Sequence, residues 1–122
     1  KVKSVLSLNS KSVYQGKIYV KDIAQKTDAY QLSKAMLLSD NSEFDSKPEL
    51  EIYADDVKCS HGSTSGSIDE DSIHYLMTRG LNREESIKLL VNGFLNEVIE
   101  MIKNNSVRKF IKNKLEGNIH GF

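Results

Sequence analysis

The sequence predicts a chain that is β in its first half and α in its second, and three observations carry that prediction. Up to about Gly62, apolar and polar residues alternate with period two. Ile18 and Val20 stand against Tyr19 and Lys21, and Leu50, Ile52 and Ala54 against Glu51, Tyr53 and Asp55. From Ser67 onward the apolar spacing becomes i, i+3, i+4, i+7, the period of a helix with one buried face. Within the β half, like residues recur at an offset of 20: Ile18 with Leu38, Ala24 with Phe44, Tyr30 with Leu50, Leu32 with Ile52. Stacked parallel rungs set like residues above like, so this repeat favours a β-helix over a sandwich. Two rungs do not hold a solenoid together unaided, which predicts a longer parent protein. The expected division is terminal β rungs over residues 1–66 and a helical domain of two to three helices over residues 67–122.

Turn chemistry punctuates the β half at Gln15-Gly16, Ser39-Asp40-Asn41 and Lys47-Pro48. Pro48 has no N–H to give a ladder, so it is expected to open a strand. In the helical half, Ser67 with Glu70 forms a capping box. Ile73, Leu76 and Met77 then make one face before Gly80 stops the helix. Asn82 with Glu85 repeats the device. Ile87, Leu90, Val91, Phe94, Leu95, Val98, Ile99 and Ile102 follow without a break in the helical spacing. A third, shorter helix carries Val107, Phe110, Ile111 and Leu115 and ends at Gly117. Such stripes are core by default, and one this long on a small helical tail also suits a partner.

Composition narrows the function classes. The 122 residues hold 39% hydrophobic and 28% charged side chains, ordinary for a folded domain or part of one. Seventeen basic residues balance seventeen acidic ones, so no global charge draws nucleic acid or an anionic membrane. Arg108, Lys109, Lys112 and Lys114 make the last helix basic, as a solvated face near a helix C-terminus often is. One cysteine excludes an internal disulfide. There is no apolar run of about 18 residues and no signal-peptide core. A start at Lys1 predicts a processed product or a fragment, from which a targeting segment would be missing.

The chemistry is sparse. No phosphate loop is present, since Gly62 and Gly66 lack a following Lys-Ser/Thr, and there is no Gly-x-Ser-x-Gly elbow or His-Glu-x-x-His helix. Asp69-Glu70-Asp71 belongs to a helix start rather than to paired catalytic carboxylates. His74 is expected to be a partly buried structural histidine, and His120 to lie in a disordered terminus. Ser63, Thr64 and Ser65 follow His61 without an acidic orienter, so nucleophilic catalysis has no support. What remains is Cys59-Ser60-His61. A strand sends residues i and i+2 to one face, roughly 6 to 7 Å apart. Cys59 and His61 would share that face with Asp55 and Val57. A thiolate and an imidazole so placed suit zinc or iron. A small buried cysteine beside a polar histidine is the other reading.

The segment 47–62, KPELEIYADDVKCSHG, resembles the SufD signature of the SufB/SufD family of the SUF iron–sulfur cluster assembly system. QKTDAYQ at 25–31, LLSD at 37–40, IDE at 68–70, and Tyr75-Leu76 with Arg79-Gly80 are similar to the same family. VNGF at 91–94 looks more like the SufB branch. Ser63 and Ser65 stand where the family usually has alanine and valine. The likeness covers about Gly16 to Ile102. It implies the last rungs of a right-handed parallel β-helix followed by a C-terminal helical domain. It implies a scaffold subunit rather than an enzyme, pairing with SufB and docking the SufC ATPase. His61 would lie at the SufB interface, with Cys59 beside it, as a site for iron or a nascent cluster. That cargo is bound transiently and in the complex, and none is expected on the isolated chain. Ile87, Leu90, Val91, Phe94, Leu95 and Val98 become the candidate SufC-docking residues. The implied location is bacterial cytoplasm or plastid stroma, the apicoplast included. No nucleic acid or membrane partner is expected, while an uncapped rung invites pairing with a second copy. Two alternatives stand beside this: a zinc enzyme or hydrolase using Cys59, His61 and Asp55, and a β-helix adaptor with no metal role.

Overall fold

The structure, a computed structural model, describes residues 1–117. Its elements are β1 (Val2–Leu6), β2 (Lys11–Val20), β3 (Asp28–Leu37), β4 (Glu43–Ile52), β5 (Lys58–Ser67), α1 (Glu70–Thr78), α2 (Arg83–Ile99) and α3 (Asn105–Glu116). The chain forms two compact units, Lys1–Ser67 and Ile68 onward.

In the first unit the strands alternate between two parallel sheets, ordered β1-β3-β5 and β2-β4. Val2 lies beside Ser33, Lys11 beside Glu43 and Asp28 beside Lys58, so one return of the chain takes 30 to 32 residues. The 20-residue repeat is therefore overturned. Ile18 lies beside Leu50 rather than Leu38, and Leu32 beside Gly62 rather than Ile52. An even offset in an alternating sequence superimposes apolar residues whether or not the strands pair. The true period is set by one strand in each sheet plus two corners. The corners stack as well. Leu38 donates its N–H to Leu6 C=O at 2.8 Å and Lys26 to Asp56 C=O at 2.6 Å, while Asp56 N–H reaches Gln25 Oε1 at 2.9 Å.

The interior of this unit is narrow and partly polar. Across it the hydroxyls of Ser33 and Ser46 share a hydrogen bond of 2.7 Å, and Gln31 Nε2 donates to the Tyr14 hydroxyl at 3.2 Å. Gln31, Ser33, Ala35, Leu6 and Val20 are buried. Outside, Lys11 pairs with Glu43 and Asp45 at 2.7 and 3.0 Å, and Lys17 with Glu51 and Glu49 at 2.9 and 3.6 Å. These exposed pairs tie β2 to β4, and each adds little to stability.

Two expected turns prove to be strand interior. Gln15-Gly16 lies within β2 and Lys47-Pro48 within β4, and Gly16 sits directly beside Pro48. Gly16 is there for space, since a Cβ would overlap Gln31 Nε2 and the Tyr14 hydroxyl. Pro48 is tolerated because of strand phase. Glu43 and Tyr53 donate to Ser10 and Val20, so odd positions around β4 face β2. The nitrogen of Pro48, an even position, points to the other edge, where no described strand pairs.

The helical unit follows a short link. Ser67 is still paired with Leu37 at the end of β5, so it does not cap α1. Asp69 does, accepting from Asp71 N–H at 3.2 Å and from the Ser72 hydroxyl. An aspartate is an equally good cap, which is why the box read two residues early failed. Ile73 is buried and Leu76 half-buried, while Met77 and His74 are exposed. The expected burial of His74 is thus corrected: one residue past Ile73, it is turned about 100° from the buried face. Gly80 holds a φ of 102° after the helix, a conformation open to glycine. The Asn82–Glu85 capping box is complete, with bonds of 2.9 and 2.8 Å. Val91, Ile99 and Ser86 are buried on α2. Ion pairs tie the helices: Arg83 grips Glu70 at 2.8 and 2.7 Å, and Glu100 holds Arg108 at 2.7 Å and Lys112 at 2.5 Å. Arg108 and Lys112 thus face Glu100.

Two expected outcomes follow from this packing. Ser33→Ala or Ser46→Ala leaves one hydroxyl without its partner and should cost about 1–3 kcal/mol. The double variant should cost less than the sum, as a chemical-denaturation cycle would measure; strict additivity would mean the bond is not coupled. In the helical unit, hydrogen bonding to Arg83 holds the Glu70 carboxyl below its ordinary value, and bonding to Lys112 and then Arg108 does the same for Glu100. A lowered folded-state pKa gives stability that is present above the unfolded value and lost as pH falls through the folded one. The helical melting midpoint, followed by far-ultraviolet circular dichroism, should fall on acidification below the ordinary carboxylate range. Glu70→Gln combined with Glu100→Gln should flatten that fall.

Candidate functional site

β5 carries the site because of its place in the stack. It is the last strand of the β1-β3-β5 sheet, pairing with β3 on one side and with no described strand on the other. Cys59 lies beside Ala29, His61 beside Gln31 and Ser63 beside Ser33. Gln31 and Ser33 are buried, so Cys59 and His61 stand on the inward face of the sheet. Cys59 is half-buried and His61 exposed, because the stack ends here and nothing described lies over them in register. The predicted common face of Cys59 and His61 is what the strand provides. The His61 imidazole makes no hydrogen bond or ion pair with the described residues, so it presents an unencumbered nitrogen lone pair.

Asp55 does not join them. β4 ends at Ile52 and β5 begins at Lys58, so Asp55 and Val57 belong to the corner and not to the strand face. The reason is local: Ala54 is buried at the corner, and the next residues turn to carry the bond from Asp56 to Gln25. Among the described residues no three His, Cys, Asp or Glu side chains are grouped to hold a metal ion. Cys59 and His61 offer two ligands, and a tetrahedral site needs four. Ser63 and Ser65 share their face, are exposed, and show no pairing with the imidazole. His74 lies on α1, and His120 lies outside the described residues.

Sequence reasoning missed Gln31. It is 8% exposed, sits in register beneath His61, and its amide nitrogen is held by Tyr14. An offset of 30 would have aligned the two residues; the offset of 20 hid them. Gly62 has a role on the other face, where a Cβ would come within 2.8 Å of the Tyr30 hydroxyl.

The α2 stripe divides by burial. Val91 is 1% exposed and belongs to the core, whereas Ile87, Leu90, Phe94, Leu95 and Val98 are half-buried. The apolar side chains most open on α1 and α2 are Tyr75 and Leu89, 57% and 51% exposed, flanking a groove with Leu76 and Leu90. Among the described residues no helix is long and apolar enough to cross a membrane.

Residues 1–94 match the family described as SUF system FeS cluster assembly, SufBD core domain. The chain is 38% identical over 107 residues to the iron-sulfur cluster assembly protein SufD of Escherichia coli, covering 88% of this chain and 25% of that protein. It is 37% identical over 109 residues to the chloroplastic protein ABCI7 of Arabidopsis thaliana, covering 89% and 23%. To SufD of Bacillus subtilis it is 31% identical over 112 residues, covering 92% and 26%. The chain thus spans about a quarter of the length of these relatives. With about three-quarters of its residues in the core-domain match and 38% identity to a SufD protein over most of its length, this chain belongs to the SufBD family of the SUF iron–sulfur cluster assembly system.

Proposed function

We propose that this chain is part of a SufD-type scaffold subunit, contributing His61 and Cys59 to a site for iron or a nascent cluster at the junction with SufB. The observation that carries this reading is the placing of both residues on the inward face of the last strand, open where the stack ends. A neutral imidazole and a thiolate suit iron, and two ligands call for others from a second chain. The β unit would be the last part of a right-handed parallel β-helix. Its support is the parallel alternation of strands between two sheets with a return of 30 to 32 residues. The subunit itself catalyses no turnover. Its cargo is the cluster or iron, held transiently in the complex.

SufC would dock on the helical unit. Tyr75 and Leu89, with the half-buried Leu90 between α1 and α2, form one part of the helical apolar surface that a partner can reach. Nucleotide-driven closure of SufC would pull on these helices and open the junction with SufB, a two-state change biased by ligand. The compartment is bacterial cytoplasm or plastid stroma, in keeping with bacterial and chloroplastic relatives.

In a complex reconstituted with SufB and SufC, His61→Ala should abolish most cluster formation, followed by visible absorption. Cys59→Ser should reduce it less. Full activity in the double variant would overturn the ligand role and leave an adaptor without a metal function. Separately, Leu89→Glu with Tyr75→Ala should weaken SufC binding about tenfold or more, a loss of about 1.4 kcal/mol or more, with the helical content unchanged. Unaltered affinity by calorimetry would move the docking surface elsewhere.

A further inference from the structure

We infer that the groove between α1 and α2 takes an amphipathic helix from its partner, basic at the end that meets Asp71 and acidic at the end that meets Arg79. For the identity of that partner this rests on the SufC-docking reading above. The groove holds about 410 Å³, and Tyr75, Leu76, Leu89 and Leu90 make its apolar wall, with Asp71 at one end. A groove between two helices suits a third laid along it, anchored by large apolar side chains one turn apart.

The charges around the groove give the occupant its chemistry. Most charged side chains of α1 and of the start of α2 are matched within the chain. Arg83 holds Glu70 at 2.8 and 2.7 Å, and Lys88 holds Glu84 at 2.7 Å. Asp69 is committed to the α1 cap, accepting from Asp71 N–H and the Ser72 hydroxyl. Two charges remain. The Asp71 carboxylate has no hydrogen bond or cation beside it among the described residues. Arg79 donates to the Tyr75 hydroxyl at 3.2 Å and lies over the same ring, 5.2 Å from its centre, with no carboxylate beside it among the described residues. That stacking fixes the guanidinium at the Tyr75 side of the groove. Asp71 and Arg79 are about eight residues apart on α1, or about 12 Å along the axis. The groove is thus apolar along its length and oppositely charged at its ends. Both signs also suit the α1 dipole, which steadies them without supplying a counter-ion. A helix of about two turns spans the distance, its apolar side chains one turn apart toward Leu76 and Leu90 and its opposite charges at its two ends.

The test is SufC binding to the whole chain, measured by calorimetry in about 0.1 M and about 1 M salt. Asp71→Asn and Arg79→Gln should each weaken binding about threefold to fivefold in the lower salt. In the higher salt, where the screening length drops from about 10 Å to about 3 Å, their difference from the wild-type protein should vanish. Asp71→Glu and Arg79→Lys keep the charges and should bind nearly as the wild-type protein does in either salt. Unaltered affinity in either neutral variant would overturn the inference. So would a loss of equal size at both salts, because a merely structural role is not screened. Should a neutral variant lose helix by circular dichroism, the wild-type protein decides: its affinity should fall with salt, and a salt-independent affinity would overturn the inference. Leu89→Glu with Tyr75→Ala separates this from docking itself. Weakened binding there, with both neutral variants unaffected, would overturn the charge pattern and leave the docking reading standing. Unaltered affinity in all three would overturn both.

Discussion

Parallel register between strands one full return apart is the constraint on which the β unit depends. Each residue of β3 stands beside a residue of β5, and each residue of β2 beside one of β4, with no slip along ten positions. A slip of one would send every inward residue outward. It would put Ser33 and Ser46, which meet across the interior, on opposite surfaces. The corners reinforce the register because they too stack, through Leu38 on Leu6 and Lys26 on Asp56. Everything at the site inherits this: His61 is beside Gln31 because Asp28 is beside Lys58.

The interior explains the choice of small and polar residues. The two sheets approach closely enough for serine to reach serine, so larger side chains have no room at that level. Gly16 and Ser33 are sized for that narrow space. Polar atoms buried there must pair or lose about 1–3 kcal/mol each, and the hydroxyl pair and the Gln31–Tyr14 bond meet most of that demand. The side-chain carbonyl of Gln31 lies beside His61, on the strand where the inward face opens to solvent.

Much of this was legible in the sequence, and the failures have physical reasons. Alternation revealed the strands, and helical spacing with Asn82, Glu85 and Gly80 revealed the helices, because these signals are local. Gly16 and Pro48 were misread for the opposite reason. As local signals they say turn, yet what admits them is non-local: a close approach from Gln31 in one case and an unpaired strand edge in the other. The length of the return was invisible to a short comparison because alternation makes every even offset look like a repeat. Cys59 and His61 could be seen as a pair from spacing alone. Asp55 seemed to belong with them only because the corner before β5 cannot be read from alternation. Gln31 could not be found without the register.

Why should a pair of ligands sit on the last strand rather than within the stack? An inward-facing residue in mid-stack is covered above and below by its neighbours, as Ser33 is between Val2 and Ser63. It can be buried or it can pair, but it cannot meet an outside ligand. An outward-facing residue is accessible but lacks a fixed neighbour behind it, since exposed side chains there are held only by weak surface pairs. The end of the stack alone combines the two conditions. Its residues are oriented by the strand beneath and still reachable from beyond. His61 has Gln31 behind it and solvent before it, and Cys59 stands two residues away on the same face. Two ligands so presented are half a coordination shell, and the missing half must approach from the open side. On the proposed reading a site of this kind has to lie where another chain meets the end of the stack, because only there can four ligands converge.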